Sequence, residues 1–128
     1  AQAFWTAPKA STWAVYNQHC KHLYNVLPAH PDVGARTVFN EEILFTSASG
    51  EQQTMQLLPG LAQVQCPVLV MVGDQDPVTP LADAQDIAAA IPAPWGRLVR
   101  FANAGHGAWR DEPEAAMAVL REFITQGA

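Results

Sequence analysis

Two loops in this sequence carry side chains whose types and spacing could move protons. Gly73-Asp74-Gln75-Asp76-Pro77 follows the apolar run Val68 to Val72, and Asn103-Ala104-Gly105-His106-Gly107 follows Leu98 to Phe101. A carboxylate set against an imidazole accepts the proton-bearing ring nitrogen. It thereby fixes the tautomer and stabilises the imidazolium formed when the other nitrogen takes a proton. Asp76 is the expected acid, with Asp74 as the fallback, and His106 the expected base. Asp is common in turns, and a Gly-His-Gly on its own is a weak signal. The weight comes from the order: strand, Gly-x-x-Asp, helix, strand, Gly-His.

Both residues must then be delivered by a parallel sheet. Val68 to Val72 is continuous, apolar and rich in β-branched residues, as in a strand buried on both faces. Leu98 to Phe101 reads as a second strand. Between them Thr79-Pro80 opens a helix, with Thr79 as N-cap and Pro80 at the first helical position. Leu81, Ala84, Ala88 and Ile91 form its apolar stripe, and Pro92 and Pro94 close it. Asp111-Glu112-Pro113-Glu114 opens a last helix, with Asp111 as cap and Ala116, Val119, Leu120 and Phe123 as its buried face. Strand, helix, strand, helix is a βαβ unit with a covering helix. In such a sheet functional residues sit just past the carboxyl ends of the strands, where Asp76 and His106 fall.

The first half has a different character. Residues 1–10 read as an irregular lead-in. Residues 11–26 read as an amphipathic helix capped by Ser11 or Thr12, with Trp13, Tyr16, Cys20, Leu23 and Leu27 on one face. Residues 28–37 read as a loop. Residues 38–47 fit either a helix or an extended stretch, Ser47 to Gly50 reads as a turn, and 51–58 as a short helix. The expected boundary divides a helical, cap-like segment, 1–61, from a βαβα segment, 62–128.

Composition bounds the rest. The chain has 128 residues, 49% hydrophobic and 15% charged, with a formal net charge of −5. That length supports one ordinary domain with a core. So low a charged fraction is expected where some surface is covered by a partner, an oligomer or a missing domain. No Lys/Arg cluster tracks a phosphate backbone, so nucleic acid is not an expected partner. No apolar run reaches the roughly 20 residues of a membrane helix. Cys20 and Cys66 make no disulfide framework, and the expected compartment is a reducing, cytoplasmic one. The sequence starts without Met, as expected of a processed, trimmed or mid-gene start. His19 and His22 share a helix face near His30, but Cys20 points elsewhere and no metal-site spacing is matched.

Residues 62–126 resemble the C-terminal part of the α/β-hydrolase superfamily. The resemblance rests on Cys66-Pro67-Val68-Leu69-Val70, on Gly73 to Pro80, on Ala104-Gly105-His106-Gly107, and on Glu112-Pro113-Glu114. Residues 11–60 are similar to the end of a helical cap, and Tyr16 to Asn25 is similar to proline-iminopeptidase-like members. The resemblance implies a partial α/β-hydrolase fold: its last two parallel strands with flanking helices, preceded by a cap segment. It also implies ester or amide hydrolysis, Asp76 and His106 as triad acid and base, and no metal or cofactor. Glu41 and Glu42 would meet a substrate amino terminus, though a solvated Glu-Glu pair is the plainer reading. Trp95 and Trp109 flank the two loops, and Trp109 is a candidate for binding substrate.

One departure is decisive for activity. The family's Gly-x-Ser-x-Gly turn is absent from this sequence, and Ser11, Ser47 and Ser49 are its serines. Ser47-Ala48-Ser49-Gly50 lacks the first glycine and follows no strand, and neither Cys20 nor Cys66 sits in an elbow. The expectation is therefore a chain inactive alone, completed by an N-terminal hydrolase half. The alternative is a non-enzymatic module that binds a second copy or another partner.

Overall fold

The computed structural model describes residues 1–126 and divides the chain into two compact units. The first comprises Ala1–Leu23 and Pro28–Gln56; the second comprises Tyr24–Leu27 and, within the described residues, 57–126.

The first unit is helical: α1 (Gln2–Thr6), α2 (Ala10–Cys20), α3 (Val33–Arg36), α4 (Glu41–Thr46) and α5 (Gln52–Thr54), with a π-helical turn at Ser47–Glu51. Its centre is aromatic. Phe4 is buried, its ring centroid 5.0 Å from that of Trp13, 5.5 Å from Tyr16 and 6.3 Å from Phe45. That cluster explains α1, where an irregular lead-in was expected: a five-residue helix has no periodicity to read, and burial of Phe4 holds it. The Thr12 hydroxyl accepts from the Lys9 amide and donates to the Ala7 carbonyl; α2 begins at Ala10 with Lys9 as N-cap, so neither Ser11 nor Thr12 is its cap. In the expected loop 28–37 the structure forms α3. In the ambiguous stretch 38–47 it forms α4, started by Asn40, whose side chain accepts from the Ile43 amide at 3.1 Å. Only Gln52–Thr54 of the expected helix 51–58 is α-helical.

The second unit holds the sheet. After a 3₁₀ stretch, Leu58–Gln63, β1 (Val68–Gly73) pairs in parallel with β2 (Gly96–Phe101), and α6 (Leu81–Ala90) connects them. The short α7 (Ala108–Asp111) and the long α8 (Pro113–Gln126) follow. Phe101, Ala104, Ala108 and Ala116 form the core, with Met71, Val99 and Val119 packed against it. Leu120, expected on the buried face of α8, is exposed.

Register is what matters for the site. Val68 lies opposite Gly96 and Gly73 opposite Phe101, so both strands end at one level. The ladder continues beyond them: the Asp74 amide donates to the Phe101 carbonyl at 2.9 Å and the Gln75 amide to the Ala104 carbonyl at 3.0 Å. The loop after β1 is thus drawn onto the loop after β2. Gly73 permits this approach, because a Cβ there would overlap the carbonyl oxygens of Ala104 and Gly105 and lie 2.5 Å from the Ala104 carbonyl carbon. Among the described residues no helix is long and apolar enough to cross a membrane.

Candidate active site

The two loops meet. His106 Nδ1 lies 3.0 Å from Asp76 Oδ2 and 3.2 Å from Oδ1. The Asp76 side chain is 5% exposed and the His106 side chain 36%. Asp76 is held from its own loop as well: Oδ1 accepts from the amides of Val78 (2.8 Å) and Thr79 (2.9 Å), and Oδ2 from the Thr79 hydroxyl (2.8 Å). Burial pushes the Asp76 carboxyl up. The Thr79 and Val78 amides, His106 and the Thr79 hydroxyl outweigh it and leave the group below its ordinary value. An ionised carboxylate only accepts, so the shared imidazole proton resides on Nδ1 and Nε2 is left as the basic nitrogen.

Asp74 does not compete for this role. Arg100, one residue before the end of β2, grips it from Nε and Nη2, each at 2.9 Å. That hydrogen-bonded pairing lowers the Asp74 carboxyl and ties down the strand ends. Asp76 is the carboxylate that faces the imidazole.

Two residues read from sequence as helix caps do something else. Pro80, not Thr79, precedes α6, with no side-chain cap, and the Thr79 hydroxyl is turned to Asp76 and lies 3.3 Å from His106 Nδ1. Asp111 ends α7 rather than capping α8, and it is buried. Its carboxylate accepts from the backbone amides of Gly105 (2.8 Å), Leu27 (2.9 Å) and Val26 (3.0 Å), and from Asn25 Nδ2 (3.3 Å). Burial raises its carboxyl, and the Gly105, Leu27 and Val26 amides with Asn25 reverse this and lower it. These bonds explain why the expected helix over 11–26 stops at Cys20. After a 3₁₀ turn at Lys21–Leu23, the chain at Tyr24–Leu27 bonds to the His106 loop instead of winding on, and Leu23 and Leu27 are exposed. No local sequence signal marks the role of Asp111, because Asp111 and Leu27 are 84 residues apart.

The remaining candidates fall in different places. Trp109 is 59% exposed and lines, with Met71, Asp76, Thr79 and His106, an open pocket of about 100 Å³. Trp95 precedes β2, and its carbonyl accepts from the Val68 amide at the opposite end of the sheet, so it does not flank the site. Glu41 and Glu42 are exposed in the first turn of α4, in the first unit. Ser11 lies on α2, Ser47 and Ser49 in the π-helical turn, and none follows a strand. His19 lies in the last turn of α2, next to its final residue Cys20, and His22 lies in the 3₁₀ turn beyond. Among the described residues no three His, Cys, Asp or Glu side chains are grouped to hold a metal.

Comparison with known proteins bears on family and fold. The chain is 33% identical over 63 residues to the AB hydrolase superfamily protein YisY of Bacillus subtilis, a match covering 49% of this chain and 23% of that protein. A thermophilic esterase from Thermogutta terrifontis superposes with a TM-score of 0.60 at 27% identity, over 67% of this chain and 31% of the esterase. The esterase of Exiguobacterium antarcticum (TM-score 0.64, 21% identity, 90% of this chain and 44% of that one) is alike in fold. So is MGS-M2, an α/β hydrolase enzyme from a Medee basin deep-sea metagenome library (0.62, 16%, 90% and 46%). The chain thus spans less than half the length of each. It has part of their fold, two parallel strands with flanking helices. The family model for TAP-like proteins matches residues 10–128, and the chain belongs to that family of α/β-hydrolases.

Proposed function

We propose that this chain supplies the acid, Asp76, and the base, His106, of a serine-type ester or amide hydrolase whose nucleophile lies outside this sequence. The observation that carries the reading is the buried, acceptor-only Asp76 carboxylate on His106 Nδ1. In that role His106 Nε2 takes the proton of a serine hydroxyl as its oxygen attacks the substrate carbonyl. The imidazolium so formed is stabilised by Asp76 and then protonates the departing alcohol or amine. Thr79 keeps the carboxylate oriented throughout. Trp109, on the pocket wall, would meet the substrate. Residues 1–61 would act as cap, and Glu41 and Glu42 would receive a free amino terminus if the substrates are short peptides. The esterase relatives favour small esters as the substrate class.

The test is hydrolysis of short-chain p-nitrophenyl esters and aminoacyl naphthylamides. The chain alone is expected to match its His106→Ala variant. Joined to a segment with a strand and a Gly-x-Ser-x-Gly turn, it is expected to turn over substrate and to lose that activity with His106→Ala. Activity of the chain alone that disappears in His106→Ala would place a nucleophile within these residues and overturn the proposal.

A second reading, a self-associating or partner-binding module, is favoured by one observation. Among the described residues the sheet has only two strands, so each keeps an unpaired edge. Size-exclusion chromatography separates the readings: a chain that stays monomeric at high concentration removes the self-associating one.

A further inference from the structure

Asp111 is buried, at 7% exposed, and the proton transfers proposed above do not use it. Its partners are all donors. Oδ1 accepts from the Leu27 amide, and Oδ2 accepts from the Gly105 and Val26 amides and from Asn25 Nδ2. A carboxylate suits this place because it offers only acceptors. Gly105 is the residue before His106. On the other side, the His106 amide donates to the Tyr24 carbonyl at 2.6 Å. Tyr24 begins the segment whose next residues Asp111 grips, and Arg110 adds a bond to Asn25 Oδ1 at 2.8 Å. The fit is tight: a Cβ on Gly105 would overlap the Tyr24 carbonyl oxygen and come within 3.0 Å of Asn25 Cα. The Tyr24 ring stands edge-on to the imidazole, with centroids 5.3 Å apart at 86°.

We infer that Asp111 is a positioning residue for His106: it fixes the backbone that carries the imidazole, directly through the Gly105 amide and indirectly through the Tyr24–Leu27 strap. The inference rests on the reading of His106 as base. Asp111 touches no reacting atom. Its effect is on how firmly Nδ1 is held to Asp76, because the two successive amides that lead into the residue, those of Gly105 and His106, are anchored through it directly and through the strap. A shift of the strap would reach the imidazole through the Tyr24 carbonyl.

The experiment measures the solvent-exchange lifetime of the His106 Nδ1 proton by NMR on the ¹⁵N-labelled full chain, with a thermal melt beside it. Asp111→Asn turns an NH₂ group toward donors and removes the charge. It is expected to keep a cooperative melt and to shorten the lifetime about ten-fold, the scale of one lost charge-assisted hydrogen bond. Asn25→Ala, which removes the side-chain bonds to Asp111 and from Arg110 but leaves the carboxylate and its three backbone amides, is expected to shorten it by less, about two- to three-fold. A lifetime unchanged in both variants, with faster exchange of the Val26 and Leu27 amides, overturns the inference, since Asp111 would then only hold the strap. If Asp111→Asn does not fold, Asn25→Ala decides, and an unchanged lifetime there overturns it. A wild-type chain with no proton shared between His106 Nδ1 and Asp76 overturns the reading of His106 itself, and the inference with it.

Discussion

Gly73→Ala is the sharpest test of how the two loops come together. The added methyl would overlap two backbone carbonyl oxygens and lie 2.5 Å from the Ala104 carbonyl carbon. Carbon–carbon contacts rest near ~3.5 Å, so the loop bearing His106 must retreat by about 1 Å. No side-chain rotation relieves this, because the neighbours are backbone. Overpacking of this kind costs up to about 3 kcal/mol. The lower chain entropy of the unfolded Ala variant offsets up to about 1 kcal/mol. The net loss is then about 2 kcal/mol. With a urea m-value of about 1.5 kcal/mol/M, the midpoint falls by roughly 1.3 M. Gly60→Ala is the matched control, since nothing lies within 4 Å of a Cβ there. It should be neutral or stabilising by up to about 1 kcal/mol. The assay is urea unfolding followed through the NMR amide signals of β1 and β2, which report the second unit alone. A Gly73→Ala midpoint equal to that of Gly60→Ala would refute the argument that β1 ends in direct contact with the His106 loop. In a completed enzyme, a 1 Å displacement of the base is expected to cost up to about 100-fold in kcat.

Three further outcomes are expected. The Asp76 and Asp111 carboxyls are both lower in the folded chain than their ordinary value. The stability they contribute is therefore full above the unfolded value, about pH 3.9, and is lost as pH falls through the lower folded values. Urea midpoints measured between pH 5 and 2 should fall less steeply in Asp111→Ala than in the wild type. Thr79→Val should leave α6 helicity by circular dichroism unchanged, because Thr79 is not its cap, and cost about 1 kcal/mol through the lost bond to Asp76. Arg100→Ala should change stability little and leave the proton between Asp76 and His106 in place by NMR, since Asp74, not Asp76, is its partner.

How much of this was legible in the sequence follows from the range of the interactions. The strands could be read because runs such as Val68 to Val72 carry their own apolar pattern. Pairing extends them only to Gly73 and back to Gly96. Asp76 and His106 could be named because each sits a fixed step beyond its strand. Thr79 and Asp111 were misread because their local contexts, Thr-Pro and Asp-Glu-Pro-Glu, carry the signature of a helix start. Thr79 is redirected by a carboxylate three residues earlier that itself faces His106, and Asp111 by amides more than 80 residues away. The strap at Tyr24–Leu27 had no signal of its own. It continues the apolar spacing of α2, and the acceptors of Asp111, with the His106 amide at the Tyr24 carbonyl, take up its backbone groups once it leaves the helix. In the first unit, α1 and α3 are too short for periodicity to reveal them.

The central claim is that Asp76 holds His106 in the form whose Nε2 is free to take a proton. Long-range ¹H–¹⁵N NMR of the imidazole nitrogens, in the wild type and in Asp76→Ala at neutral pH, tests it most directly. The expected result is a His106 whose Nδ1 carries the proton shared with Asp76 in the wild type, and loss of that preference in Asp76→Ala. A His106 that shows the same tautomer mixture in both proteins, indistinguishable from exposed histidines such as His19, would contradict it.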